Sequence, residues 1–417
     1  MGCTASSMYK IARKKKKNIP LVTIFVPPLR VPVQSDDVPK MLRGLIPKHL
    51  VDKITSLRNQ IVFVAQDTGI CGNAVQELQG ALEEYLPLIV GLTKRENGVR
   101  ELVEFKWKNI EDGKHVQVCV KDSWFELLSV VHMMATLTLR EANSKLISKD
   151  PTSDRVVTSD SMSNAVDLLL KAAGYLEFCM RDVLVHIPAD IKSKMPGDLQ
   201  EDVIGAMSIQ ALAQGTEMQL GLAVENRNAT LPVKRRLACE QLSYLGQAHF
   251  PLSKCIDNGN RKKHLLFIKW KYLEAKAAAY YYNGLIMDKG TNPSCHTTAV
   301  CCFLAAEELL TESKKACLNF CLAVPITRTP PLWGAMKHLS KKIPETAFKK
   351  SQMYGYLLDQ EKGLQGVPDL PEFELSLKPE EYELPEMNEA WDREKWEIPD
   401  QTLKEHLIDS GDETESD

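Results

Sequence analysis

Ser123-Trp124-Phe125-Glu126-Leu127-Leu128-Ser129-Val130-Val131-His132-Met133-Met134-Ala135 is the stretch whose reading decides the fold. Phe125, Leu128, Val131, Met134 and Leu137 recur at three and four residues, the spacing of one helix face. Working outward, Ser161 opens a second helical pattern carrying Val166, Leu169, Ala173, Leu176 and Met180. Pro188 and Pro196 mark a loop, and a further helix is predicted from about Asp202 to Glu225. Pro232 starts the next, as proline at a first helical turn allows. Segments from His264 to Met287, Thr298 to Leu322 and Leu332 to Leu358 follow, the last with Pro344 as a candidate break. Helices of this length exceed the usual mean of about 12 residues and fit α-hairpins stacked as a solenoid. No strict tetratricopeptide period is written in the sequence.

Toward the N-terminus, Leu50, Ile54, Leu57, Ile61 and Val64 predict a helix beginning near Pro47, and another runs from about Asn73 to Leu92. Leu102 to Trp107 and His115 to Val120 flank Glu111-Asp112-Gly113, a hairpin signal. Leu21 to Val26 is β-branched and aromatic and stops at Pro27-Pro28, which predicts an edge strand. The fold class is therefore mostly α, an elongated helical solenoid with a small N-terminal sheet. After Leu364 periodicity is lost, and Pro368, Pro371, Pro379 and Pro385 predict an extended strap across the body. The expected organisation is a basic tail over residues 1–19, a helical domain over 20–385 and an acidic tail over 386–417.

The chain has 417 residues, of which 44% are hydrophobic and 26% charged, ordinary values for a globular protein. No stretch approaches the ~18 uninterrupted apolar residues of a spanning helix. The run from Ile19 to Val33 is broken by four prolines and does not read as a secretory signal. The net charge of −3 conceals a strong asymmetry. From Glu372 onward, 17 acidic residues face four basic ones, a net of −13, which leaves +10 on the remainder. An acidic arm on a basic body reads as an interaction tail or one that folds back. Ser410, Thr414 and Ser416 lie among its acids as candidate phosphorylation sites.

The start of the chain carries an address. Gly2, exposed once Met1 is removed and followed by Ser6, is an N-myristoylation signal. One myristoyl chain holds a membrane only marginally, so a second signal is needed. Cys3 offers a thiol for palmitate, and Arg13, Lys14, Lys15, Lys16 and Lys17 offer attraction to an anionic cytoplasmic leaflet, on the order of 1 kcal/mol each. The alternative is a start with an incidental glycine and a nuclear-localisation-like run. The location these signals lead one to expect is the cytoplasmic face of a membrane. The 11 scattered cysteines then read as reduced thiols.

Motifs of catalysis are missing: no phosphate-cradling glycine loop, nucleophile elbow or His-Glu-x-x-His. His132 sits on an apolar face and reads as a core histidine. Glu217 reads as a packing or buried hydrogen-bonding group. Glu83-Glu84 and Glu307-Glu308 are solvated faces. Cys295, His296, Cys301, Cys302, Cys317 and Cys321 match no zinc spacing and read as core thiols; a thiol-dependent enzyme is the minor alternative. Dispersed basic residues without aromatic interleaving argue against nucleic-acid binding. The reading is a non-enzymatic scaffold with no metal and no cofactor.

Several blocks, in order, resemble the Bro-domain family of Alix-type adaptors. Trp107 with Ser123 to Ala135 resembles the family's hairpin and first long helix. Leu168 to Leu176, containing Ala172-Ala173-Gly174, resembles its Ala-Ala-Gly helix. Leu212-Ala213-Gln214-Gly215-Thr216-Glu217 is similar to its Gln-Glu signature, and Lys271 with Ala277, Ala279 and Tyr281 to its next lysine-containing helix. Leu375-Ser376-Leu377-Lys378-Pro379 resembles its closing strap. The small residues at these positions are expected to let long helices approach closely.

The resemblance implies a boomerang-shaped, tetratricopeptide-like domain. It implies a stand-alone, plant-like endosomal-targeting protein that acts in multivesicular-body sorting. The partner it implies is the C-terminal amphipathic helix of an ESCRT-III subunit, bound in an apolar groove. Carried over by position, the groove residues are Gln219, Val233, Leu237 and Leu377, with Ser376 the alternative in the strap. The family often has an aromatic residue where Gln219 stands, which keeps a second reading open: a lipid-anchored signalling scaffold with a different helical partner. Spacing alone makes Val233 and Leu237, four apart on a helix, read as core.

Overall fold

The computed structural model describes residues 21–66, 73–109, 117–147, 158–254, 260–330, 332–360 and 367–396. Eleven α-helices and three strands lie among them. Strand β1 (Arg30–Pro32) precedes helices α1 (Asp37–Leu42), α2 (Lys48–Gln66) and α3 (Asn73–Thr93). Strands β2 (Phe105–Asn109) and β3 (Gln117–Val120) follow, and the antiparallel sheet has the order β1-β2-β3. Phe105 faces Val120, and Pro32 faces Trp107. The expected Asp112-Gly113 turn lies outside the described residues. The long helices are α4 (Ser123–Leu146), α5 (Ser159–Phe178), α7 (Glu201–Glu225), α8 (Leu231–Lys254), α9 (Asn260–Met287), α10 (Pro293–Leu322) and α11 (Gly334–Gln360), with a short α6 (Ala189–Lys194).

The deciding stretch forms α4. Asp122 caps it by accepting from the Trp124 N–H at 2.7 Å. Phe125, Leu128 and Val131 are fully buried, as their spacing implies. One charged residue is buried among them. Glu126 accepts from Arg58 Nε (2.9 Å), Tyr85 Oη (3.1 Å) and Trp107 Nε1 (2.6 Å). This single carboxylate ties α2, α3, β2 and α4 together, and its hydrogen bonds offset the cost of burying its charge. From α4 onward the long helices pack mainly on their chain neighbours: α4 on α5, α5 on α7, α7 on α8, α8 on α9, α9 on α10 and α10 on α11. That serial stacking is the solenoid the helix lengths imply.

Two expectations are corrected. Leu21 to Val26 is not an edge strand. The Thr23 and Ile24 N–H groups donate to Asn143 Oδ1 at 3.0 and 2.9 Å, while Gln214 and Gln210 donate to the carbonyls of Thr23 and Phe25. Side chains of α4 and α7 satisfy the backbone of Thr23 to Phe25, and the segment's one β contact is an isolated bridge at Leu21. Pro344 does not break α11, because Leu339, Ile343 and Ala347 bury one continuous face and outweigh the single lost ladder bond. Packing also continues past residue 385. The Asn388 N–H donates to the Pro87 carbonyl, and Trp391 is buried against α3.

Candidate functional site

Residues 367–388 contain no helix or strand and run as the expected strap. The strap and the short turn after it are fixed at four helices. At α8, Glu240 is buried and accepts from the Ser376 N–H (3.1 Å) and hydroxyl (2.5 Å), while Arg236 donates to its other oxygen at 2.6 Å. Tyr244 Oη donates to the Leu377 carbonyl at 2.6 Å. At α7, Leu377 lies over Gly215, where an added Cβ would stand 3.0 Å from its Cδ1. At α5, the Glu380 N–H donates to the Leu170 carbonyl, and Tyr382 meets Tyr175 and Phe178 edge-on at 4.7 and 5.1 Å. At α3, Trp391 Nε1 donates to the Leu88 carbonyl at 3.1 Å. The small residues Gly174 and Gly215 therefore admit the strap rather than a neighbouring helix. Gly221 does serve close helix approach, with Gly334 at the start of α11.

Beside the strap, α8 presents a mixed stripe. Val233 is 46% exposed. Leu237 is half-buried and packs, like Leu231, Val224, Leu370 and Phe373, on a cluster formed mainly by α9, α10 and α11. Further along, Ser243, Gly246, Gln247 and Phe250 of α8 and Glu372, Phe373 and Leu375 of the strap line an open cleft of about 640 Å3. Arg235 lies over the Phe373 ring at 5.9 Å and donates to Asn283 Oδ1 at 3.1 Å. Gln219 is half-buried on α7. Leu377 is half-buried but packs on the other, larger core cluster, so it does not join Leu237. Ser376, exposed, is a strap anchor through Glu240. Gly2, Cys3 and Arg13 to Lys17 lie outside the described residues, as do Ser410, Thr414 and Ser416.

Sequence reasoning missed Glu240, Tyr244, Phe250, Leu370 and Phe373. The alternation of Phe373, Leu375 and Leu377 was the available signal, since an extended strap turns every second side chain inward.

Between α7 and α9 lies a buried charge cluster. Lys271 Nζ donates to Glu217 Oε1 at 2.8 Å and to Glu274 Oε2 at 3.0 Å, and Trp270 Nε1 donates to Glu274 Oε1 at 2.8 Å. Burial pushes the Glu217 carboxyl up despite the Lys271 ammonium beside it. For Lys271, burial opposes the charge and the two carboxylates outweigh it, so its pKa is raised. His132 is in the core, where burial lowers it to about 4. Burial raises the thiols of Cys302 and Cys317, to about 11 and about 12, the latter also beside Cys321. Cys295 and Cys301 are only half-buried, so the expected core role does not extend to them.

The sequence matches the model of the BRO1-like domain over residues 46–350, more than half of the chain, and the protein belongs to this family. Its fold is similar to that of ALIX in a complex with the SIVmac239 PYKEVTEDL late domain, at 15% identity and a TM-score of 0.64. That match covers 93% of this chain and 53% of the other, so the chain spans about half the length of that ALIX chain. It is similar to ALIX BRO1 in the complex with CHMP4C, at 15% identity and a TM-score of 0.62, covering 87% of this chain and 96% of that one. A Bro1 domain described as the structural basis of endosomal targeting matches at 13% identity and a TM-score of 0.57, covering 90% and 95%. At such identities the likeness is one of fold. No curated protein sequence matches. Among the described residues no helix is long and apolar enough to cross a membrane.

Proposed function

We propose that the protein is a non-enzymatic adaptor of endosomal and multivesicular-body sorting. It binds the C-terminal amphipathic helix of an ESCRT-III subunit along α8, beside the strap. The observation that carries this is the exposed Val233 with the half-buried Leu237 one turn on along α8, in a fold that in ALIX BRO1 forms a complex with CHMP4C. An amphipathic helix laid on this face meets apolar anchors at Val233 and Leu237 and the cleft ending at Phe250. Gln219 supplies less apolar area than an aromatic residue would. The test is a titration of the full chain with a CHMP4-type C-terminal helix. Leu237→Asp is expected to weaken binding by about tenfold or more, and Gln219→Phe to strengthen it. Equal binding by wild type and Leu237→Asp would remove the groove. A proximity-labelling screen returning no sorting component would favour the signalling-scaffold reading.

The adaptor is held at the cytoplasmic face of endosome or plasma membrane by acylation at Gly2 and Cys3, with Arg13 to Lys17 at the anionic surface. What supports this is the coincidence of three signals within the first 17 residues. Gly2→Ala is expected to move the protein into the soluble fraction of cells. Unchanged fractionation would count against the anchor.

A further inference from the structure

Helix α10 ends at Leu322, and the chain then closes a short loop: the Thr327 N–H donates to the Cys321 carbonyl at 3.1 Å. Lys263 of α9, itself buried, holds the base of this loop. It donates to the Ala323 carbonyl at 2.9 Å, to Thr327 Oγ1 at 3.2 Å and to the Phe320 carbonyl. The tip between these anchors, Leu322-Ala323-Val324-Pro325-Ile326, has no polar side chain. Leu322 is 72% exposed, Val324 75% and Ile326 55%, and Leu318, one turn back on α10, is 54% exposed. Large apolar side chains gathered at one spot on a surface mark a contact site. The nearest charges along the chain are cationic: Lys314 and Lys315 one turn before Leu318, and Arg328 just after the loop, all exposed. Glu308 and Glu312 lie farther back on α10.

The place of Leu21 points to the occupant. Leu21 forms a parallel bridge with Arg328, beside the loop. The 20 residues that precede it in the sequence carry Gly2, Cys3 and the run Arg13 to Lys17. An exposed apolar tip flanked along the chain by exposed cations is the chemistry of an element lying in a membrane interface, its side chains among acyl chains and its cations at headgroup level.

We propose that loop 322–326 inserts into the surface of an anionic membrane leaflet, with Lys314, Lys315 and Arg328 at the headgroups. The inference deepens the membrane-attachment reading, yet the contact needs no acyl group, and the two are tested apart. Full chain made in a host without N-myristoyltransferase is sedimented with phosphatidylcholine vesicles, with and without phosphatidylserine. Binding to the phosphatidylserine vesicles is expected. Val324→Asp with Ile326→Asp should lower partitioning by about tenfold or more, with the urea midpoint unchanged because both side chains are exposed. Val324→Trp should bind more tightly. No binding by the unacylated wild type, or equal binding by the double variant, would overturn the proposal. So would a dimer that the double variant dissociates, since the loop would then be a self-association surface. Fractionation of Gly2→Ala in cells bears on the acyl anchor alone.

Discussion

Replacing Gly174 by alanine adds one methyl inside α5, and helix propensity alone predicts a gain of about 1 kcal/mol. The structure predicts a loss. The new Cβ would stand 2.0 Å from the Glu380 carbonyl oxygen, against an ordinary contact of at least 3.4 Å. That oxygen belongs to the strap backbone and has no flexible bond by which to swing away. The strap must lift, and the Glu380 N–H to Leu170 hydrogen bond goes with it, about 1 kcal/mol. The edge-on contacts of Tyr382 with Tyr175 and Phe178 contribute about 0.5–1.5 kcal/mol each and are weakened too. The net effect is a destabilisation of about 1–3 kcal/mol. Gly80→Ala is the control: it lies within α3 with no atom near its missing Cβ, and should stabilise by about 1 kcal/mol. Urea unfolding of both variants measures the difference, and hydrogen exchange at the Glu380 amide reports strap release. Equal stabilisation by the two alanines would refute the reasoning.

Lys271→Met leaves Glu217 and Glu274 buried without their counter-ion and should cost about 3–5 kcal/mol in urea unfolding. Glu217 has a raised pKa, so the folded state holds its proton more tightly than the unfolded chain, and the deficit should narrow as pH falls. His264, stacked on Phe25, is lowered by burial from 6.5 to about 3. Between those values the unfolded chain binds a proton that the folded state refuses, so stability falls as pH falls, by up to about 1.4 kcal/mol per pH unit. His264→Phe should flatten the dependence of the urea midpoint on pH across that window. Thiol titration of the native protein near neutral pH should leave Cys179, Cys302 and Cys317 unmodified, all buried with raised pKa, while Cys119 is accessible.

The helical body was legible because apolar periodicity fixes which face of each long helix is buried, and α4 begins at Ser123, two residues before that pattern starts. The strap was legible from its prolines. Two things were hidden. The hydrophobic residues from Leu21 to Val26 have the composition of a strand, and only the distant Asn143, Gln210 and Gln214 make it something else. In the candidate groove, spacing placed Val233 and Leu237 on one face but could not say that Leu377 turns toward Gly215 instead of joining them. Which side of an extended segment faces inward depends on register against helices remote in sequence.

The helices of the stack pack mainly on their chain neighbours, so each junction in the row is a hinge that few other contacts hold shut. The segment from Ser376 to Trp391 runs across that row and is bonded at α8, α5 and α3. No hinge beneath it can gape without peeling the tie from one of its moorings. The row therefore behaves as a braced beam, and a partner that grips α8 pulls on the far end of the molecule as well.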